Sequence, residues 1–189
     1  MARKKLLTVL PELDEARLGP PTEEQRFRQP WLWFLLGVLG PATIGAQLYG
    51  YYQQRFLGLP WGNQPVSDGE LLTSALVSAA VIGGVSWLAW ISRLRVWASP
   101  QGLRLRFYPF HLKVRGLEPE QIRGATAVCY RPLWDYGGWG IRWGKGGRVF
   151  SVSGVEGLRL ELGDGRHLMI GSQDPVALLE ALGPAGRQL

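Results

Sequence analysis

Residues 31–52 read WLWFLLGVLGPATIGAQLYGYY and contain no charged side chain. In an α-helix, which rises 1.5 Å per residue, this stretch extends about 33 Å, enough to cross a hydrocarbon core of about 30 Å. Trp31 and Trp33 lie at its start, and Tyr51 and Tyr52 lie at its end. Aromatic side chains favour the two interfaces of a bilayer, so the stretch predicts a membrane-spanning helix.

A second uncharged stretch covers residues 71–91 and extends about 31 Å as a helix. Two such stretches in a chain of 189 residues would leave too little protein to bury them in a soluble fold. We therefore expect a two-helix transmembrane hairpin within residues 30–92, rather than two core helices.

Basic residues on either side of the two stretches predict the orientation of this hairpin. Two arginines lie just before the first stretch and two just after the second: Arg26, Arg28, Arg93 and Arg95. The connecting loop, residues 53–70, contains only one basic residue, Arg55. Because cytoplasmic loops carry the excess of Lys and Arg, we expect a multi-pass protein of the cytoplasmic (inner) membrane with both termini in the cytoplasm.

Small residues recur along both stretches and predict close packing of the two helices. They are Gly37, Gly40, Ala42, Gly45 and Ala46 in the first stretch, and Ala75, Ala79 and Gly83 in the second. The same residues would allow a homo-oligomer. Pro41 removes one backbone hydrogen bond and predicts a kink near residues 37–41.

Residues 1–29 combine several prolines with charges of both signs. This composition favours a flexible cytoplasmic N-terminal arm, with one or two helical turns near residues 12–18.

Beyond residue 92 the hydrophobic pattern changes to a period of two, which is typical of β-strands. Strands are predicted at residues 94–97, 103–107, 111–115, 121–130, 139–143, 148–152, 158–162 and 167–170. Glycine-rich residues 144–147 and 163–166 predict hairpin turns. Residues 93–189 contain 14 Lys and Arg against 8 Asp and Glu, so this region holds the whole net charge of +6.

A helix is predicted at about residues 174–183. Asp174 is a suitable N-cap, Pro175 suits the first helical position, and Gly183 can end the helix. Several short strands followed by one amphipathic helix predict a mainly-β cytoplasmic domain over residues 93–189. Its expected form is a PH-like barrel whose C-terminal helix covers one open end.

Three sequence blocks carry a resemblance to a known family: YRPLWDYGGWGIR at residues 130–142, LELGDG at 160–165 and IGSQDP at 170–175. They resemble uncharacterised bacterial membrane proteins that have two transmembrane helices and a bacterial PH-like domain. The resemblance implies the fold and a membrane location, and it implies no activity.

The first of these blocks also contains the most unusual cluster of side chains: Trp134, Asp135, Tyr136, Trp139 and Arg142. Trp, Tyr and Arg are common in binding hot spots, so the cluster is a candidate site for a protein partner. The alternative is a structural loop packed on the rim of the barrel, with Asp135 paired to Arg142.

Four basic residues alternate with apolar ones and are predicted to share a solvent face: Arg104, Arg106, Lys113 and Arg115. They are candidates for docking on anionic lipid, and simple solvation is the alternative.

Catalytic and metal sites are not predicted. His111 and His167 lie in strand-like segments, and Cys129 is the only cysteine, too few ligands for a typical metal site. The glycine-rich residues 137–147 match neither phosphate-loop pattern. We expect a membrane-anchored interaction module rather than an enzyme, with no cofactor, no metal and no nucleic acid. The alternatives are anionic-lipid sensing, a small transporter subunit around Gln47, or an enzyme using Asp135 or His167.

Overall fold

The computed structural model describes residues 7–10, 15–144 and 147–183. The chain divides into two compact units. One comprises Arg28–Trp90, and the other combines Met1–Phe27 with Ile91–Leu189.

The first unit is helical. Its first helix consists of α2 (Pro30–Phe34), a π-helical turn (Leu35–Leu39) and α3 (Gly40–Leu57). The π-helical turn ends two residues before Pro41, in the region where the sequence predicts a kink, because proline cannot supply a backbone N–H to the preceding turn. The second helix is α4 (Asp68–Ile91).

Small and polar residues mediate the contact between α3 and α4. A Cβ atom on Gly40 would lie 2.8 Å from the Ile82 side chain, so glycine allows the close approach of the helices. Gln47 Nε2 donates a hydrogen bond to Ser78 Oγ at 3.3 Å, and Ala75 is buried. The other glycines in the predicted stripes, Gly37, Gly45 and Gly83, face open space.

Both helices are long and apolar enough to cross a membrane. The first spans 28 residues with a mean hydropathy of 1.4, and the second spans 24 residues with a mean hydropathy of 1.8. In the most apolar 18-residue segment of each helix, only 6% and 11% of the residues are buried, respectively.

The second unit contains two five-stranded sheets. The first has the strand order β1-β5-β4-β3-β2, with β1 Thr8–Val9, β2 Glu23–Arg26, β3 Arg93–Ser99, β4 Gly102–Tyr108 and β5 Arg115–Leu117. The second has the order β6-β9-β10-β8-β7, with β6 Ile122–Cys129, β7 Gly140–Gly144, β8 Gly147–Ser151, β9 Glu156–Leu162 and β10 His167–Gly171. The helices of this unit are α1 (Glu15–Leu18), α5 (Pro132–Tyr136) and α6 (Pro175–Leu182).

One hydrophobic core joins the two sheets and α6. It includes Leu94, Val96, Leu103, Leu105 and Phe107 from the first sheet, Phe150, Leu158, Leu160, Leu168 and Ile170 from the second, and Leu178 and Leu182 from α6. The mainly-β fold with a C-terminal helix is thus confirmed. The described strands form two separate sheets and no closed barrel.

The predicted flexible arm over residues 1–29 is wrong for the described part of this segment. β1 pairs with β5, β2 pairs with β3, and these two strands form the outer edges of the first sheet. Leu7 is 2% exposed and belongs to the core. α1 lies within the predicted helical stretch, of which residues 12–14 fall outside the described residues.

The other predicted strands coincide with observed ones, except the strand at residues 111–115. Strand β5 begins only at Arg115, and residues 109–114 form a loop. The turn predicted at 144–147 is closed by the pairing of Gly144 with Gly147, and residues 145 and 146 lie outside the described part. Helix α6 is confirmed, with Asp174 Oδ1 accepting a hydrogen bond from the Ala177 N–H at 2.9 Å.

Candidate functional site

The loop that carries the Trp134 cluster is built around the short helix α5. Pro132 opens the helix, and Gly137 ends it in the left-handed conformation with φ 72°. Asp135 Oδ2 accepts a hydrogen bond from the Arg131 N–H at 2.7 Å. The Gly138 N–H donates to the Pro132 carbonyl at 2.8 Å and closes the turn. Because these bonds join residues that are close in sequence, residues 131–138 form one locally stabilised turn.

Trp139 and Arg142 attach this loop to its surroundings. Trp139 Nε1 donates to the Gly154 carbonyl at 3.1 Å, and Arg142 Nε donates to the Trp139 carbonyl at 3.2 Å. The suggested pairing of Asp135 with Arg142 is wrong: within the described structure the Asp135 carboxylate is engaged by the Arg131 amide of its own turn.

Tyr136 anchors α5 to the second sheet. Its ring lies edge-on to Tyr130, with the centroids 5.8 Å apart. A Cβ atom on Gly144 would lie 2.4 Å from Tyr136 Cε1, so only glycine at position 144 leaves room for the ring. Burial raises the pKa of the Tyr136 hydroxyl, although Arg159 opposes the shift.

The outer surface of α5 presents large apolar side chains. Trp134 is 85% exposed, and its neighbour Leu133 is 62% exposed. Asp135 and Arg142 are also exposed, whereas Tyr136 and Trp139 are half-buried. The five predicted residues are therefore brought together, with Trp134 outermost and Tyr136 and Trp139 forming its support.

The four predicted lipid-facing residues do not share a solvent face. Arg104 donates to the Leu117 carbonyl at 2.9 Å and pairs with the Glu118 carboxylate at 3.1 Å. Arg106 pairs with the Glu15 carboxylate at 3.1 Å.

The strand register separates the remaining two basic residues from this pair. Arg115 lies opposite Leu105 in the β4–β5 ladder, so it points to the same face as this core leucine and away from the Arg104 side. Lys113 is exposed in the loop before β5. The error arises because residues 111–113 are not in a strand.

His111 is buried in this loop rather than exposed on a strand. It is 5% exposed, and its ring packs against Phe150 with the centroids 5.4 Å apart. Burial, followed by the nearby charges of Arg115 and Arg148, lowers the pKa of His111 from 6.5 to about 4. The guanidinium of Arg148 also lies 4.5 Å from the ring centroid of Trp143, a second exposed tryptophan outside the predicted cluster.

Acidification should destabilise the β domain through His111. Because the folded pKa is about 4 and the unfolded pKa is about 6.5, the unfolded chain binds the extra proton between these pH values. The free energy of unfolding therefore falls as the pH decreases through this window, by about 2 kcal/mol. His111→Gln should lose this contribution, while carboxylates such as Glu24 affect both chains equally. Denaturant unfolding of both chains at pH 7 and pH 4.5 measures the difference. An equal loss of stability in both would contradict the assignment.

Two cavities in the described part of the second unit are lined by charged side chains. One, of about 300 Å³, is lined by Glu15, Ile91, Arg93, Arg95, Arg106 and Tyr108. The other, of about 60 Å³, is lined by Tyr136, Gly147, Arg148, Arg159, His167 and Met169. His167 Nδ1 is buried there and has no hydrogen-bond partner among the described residues. No group of three His, Cys, Asp or Glu side chains suited to a metal ion occurs in the described ranges.

Comparison of the chain with protein-family models, with curated proteins and with solved structures finds no match.

Proposed function

We propose that this chain is a membrane-anchored, PH-like interaction module, not an enzyme, whose β domain binds a protein partner at the cytoplasmic face of the membrane. The observation that carries the proposal is Trp134, which is 85% exposed on a loop that is fixed at both ends. Exposed tryptophans on ordered supports are typical centres of protein interfaces.

The energetics of the α5 loop favour such a role. Burying an aromatic side chain of this size supplies a large part of the free energy of association. The hydrogen bonds of Asp135, Trp139 and Arg142 already order the loop. Little conformational entropy would then be lost on binding. The charges of Asp135 and Arg142 beside Trp134 suit the polar rim that surrounds such an anchor.

The helical unit supports the anchoring part of the proposal. The two long helices leave almost all of their apolar windows unburied, and lipid would cover this surface. The arginines that flank the hairpin favour cytoplasmic termini. The two five-stranded sheets and α6 support the PH-like assignment at the level of a mainly-β domain with one C-terminal helix.

The alternative proposals have less support. Arg104 and Arg106 are held in internal ion pairs, which makes them poor ligands for anionic lipid. The transporter alternative depends on Gln47, the one strongly polar side chain within the first predicted span. Gln47 donates a hydrogen bond to Ser78 on α4, which favours a role in helix packing over a role in transport.

A matched pair of tryptophan variants tests the proposal. Trp143→Ala is the control, because Trp143 is also largely exposed, at 71%. Adjacent side chains of a strand point to opposite faces, so Trp143 points away from the face on which Gly144 packs against Tyr136. Tagged full-length chains would be purified from native membranes in low and moderate salt, and co-purifying proteins and lipids quantified by mass spectrometry.

We expect a stoichiometric protein with the original chain and with Trp143→Ala, and about a 30-fold weaker association with Trp134→Ala. Identical protein sets for all three chains would refute the Trp134 site. Anionic lipid that washes off with salt, without any protein, would favour the lipid-sensing alternative.

A further inference from the structure

The loop between β4 and β5, residues 109–114, presents two apolar side chains outward. Phe110 is 55% exposed and Leu112 is 72% exposed. Lys113, next in the chain, is exposed as well, whereas His111 is buried. The loop thus alternates between residues that fix it to the domain and residues that face away from it.

Several contacts hold this loop in place. The His111 N–H donates to the Phe107 carbonyl at 2.7 Å, and Arg106 Nε donates to the His111 carbonyl at 3.3 Å. The Phe110 ring lies edge-on to Phe107, with the centroids 5.5 Å apart. The exposure of Phe110 and Leu112 therefore belongs to a defined conformation.

The strand register places this loop at a particular end of the first sheet. Arg26 of β2 pairs with Arg93 of β3, and Arg93 pairs with Tyr108 of β4. β3 starts just after the last residue of α4, and β2 ends shortly before the first residue of α2. The loop therefore begins at the end of the sheet where β2 leads into the first long helix and where β3 follows the second.

The charge at this end of the sheet is positive. Residues 24–27, 91–95 and 106–115 contain six Lys or Arg against Glu24, and Glu15 supplies a second carboxylate, which pairs with Arg95 and Arg106. Glu24 is already paired with Arg26 and Arg95. Basic side chains next to exposed aromatic and aliphatic ones are the combination that favours the interface of an anionic bilayer.

We propose that the 109–114 loop inserts Phe110 and Leu112 into the interface of the membrane that holds the two helices, with Lys113 beside the lipid phosphates. This inference rests on the proposed membrane anchoring. The covalent connection of β2 and β3 to the two helices would raise the effective concentration of the loop at the lipid surface. A second contact of this kind would limit the orientations of the domain and of Trp134.

Single-cysteine labelling tests the insertion. In a Cys129→Ser background, Leu112→Cys, Gln101→Cys and Leu76→Cys would each be labelled with an environment-sensitive fluorophore. The full chain would be reconstituted into vesicles of phosphatidylcholine and phosphatidylglycerol that contain acyl-chain spin-labelled lipid. Gln101 is the matched control, since it is exposed in the β3–β4 turn at the other end of the same strands, about 20 Å away. Leu76, 64% exposed on α4, reports the span itself.

We expect the label at position 112 to shift to the blue and to be quenched several-fold more than the label at 101. Strong quenching at 76 with equal, weak quenching at 112 and 101 would overturn the insertion and leave the anchoring intact. Weak quenching at all three positions would overturn the anchoring as well. A blue-shifted label at 112 that lipid does not quench would mean a protein covers the loop, which also overturns the inference.

Discussion

Deletion of residues 1–27 is expected to unfold the β domain of the remaining chain. Both outer strands of the first sheet come from this segment, β1 at one edge and β2 at the other. Their loss would leave β5 and β3 with unpaired backbone groups and would remove Leu7 from the core. Burial of one leucine alone contributes about 2 kcal/mol.

Long-range polar contacts would be lost together with these strands. Glu23 accepts a hydrogen bond from the Gln173 N–H at 2.7 Å, and Gln25 Nε2 donates to the Gly171 carbonyl at 2.5 Å. The second of these bonds is buried, and each bond contributes about 1 kcal/mol. With the strand pairing included, the expected loss exceeds about 5 kcal/mol, which is comparable with the whole stability of a small domain.

Limited proteolysis and hydrogen exchange of the detergent-solubilised chains measure this effect. Ala16→Ser, at an exposed position in the same segment, is the control and should change nothing. A synthetic peptide of residues 1–27 should restore part of the protection. If the deleted chain kept the protection of the full chain, the segment would be a dispensable arm after all.

The sequence predicts the strands whose burial alternates, and it misses those that depend on distant partners. Strand β3 shows the alternation over residues 93–96 and is predicted correctly. Strand β2 reads Glu-Glu-Gln-Arg and has no apolar face. Its buried residue is Gln25, whose Nε2 donates a hydrogen bond to the carbonyl of Gly171, 146 positions later in the chain. No local pattern contains that information.

In the candidate sites, too, local contacts could be predicted from the sequence and long-range contacts could not. The support of Trp134 arises mostly from residues within one turn of α5, so the motif could be identified from sequence alone. Arg106 appears solvent-facing by alternation, yet its partner Glu15 lies in the N-terminal segment. A contact between residues four positions apart, such as Arg131 and Asp135, can be inferred from the sequence, whereas the pairing of Arg106 with the distant Glu15 cannot.

Replacement of Phe150 by alanine is the second change with a large expected effect. Phe150 is fully buried, and it lies opposite Ile141 of β7 and Ile170 of β10. Its ring also contacts His111, which lies in the loop between β4 and β5 of the other sheet. Truncation would leave a cavity where the two sheets meet, and we expect a loss of about 3–5 kcal/mol in the free energy of unfolding. Hydrogen exchange of the β8 and β10 amides should become about two to four orders of magnitude faster.

Phe150→Leu fills part of the cavity and should lose about 1–2 kcal/mol, so the two variants form a graded series. Val176→Ala, at a 53% exposed position on α6, should change stability by less than about 0.5 kcal/mol. If the protection of β4 amides in the first sheet fell as far as that of β8 amides, the two sheets would unfold as one cooperative unit. Loss confined to β8 and β10 would contradict the single shared core, because Phe150 would then support only its own sheet.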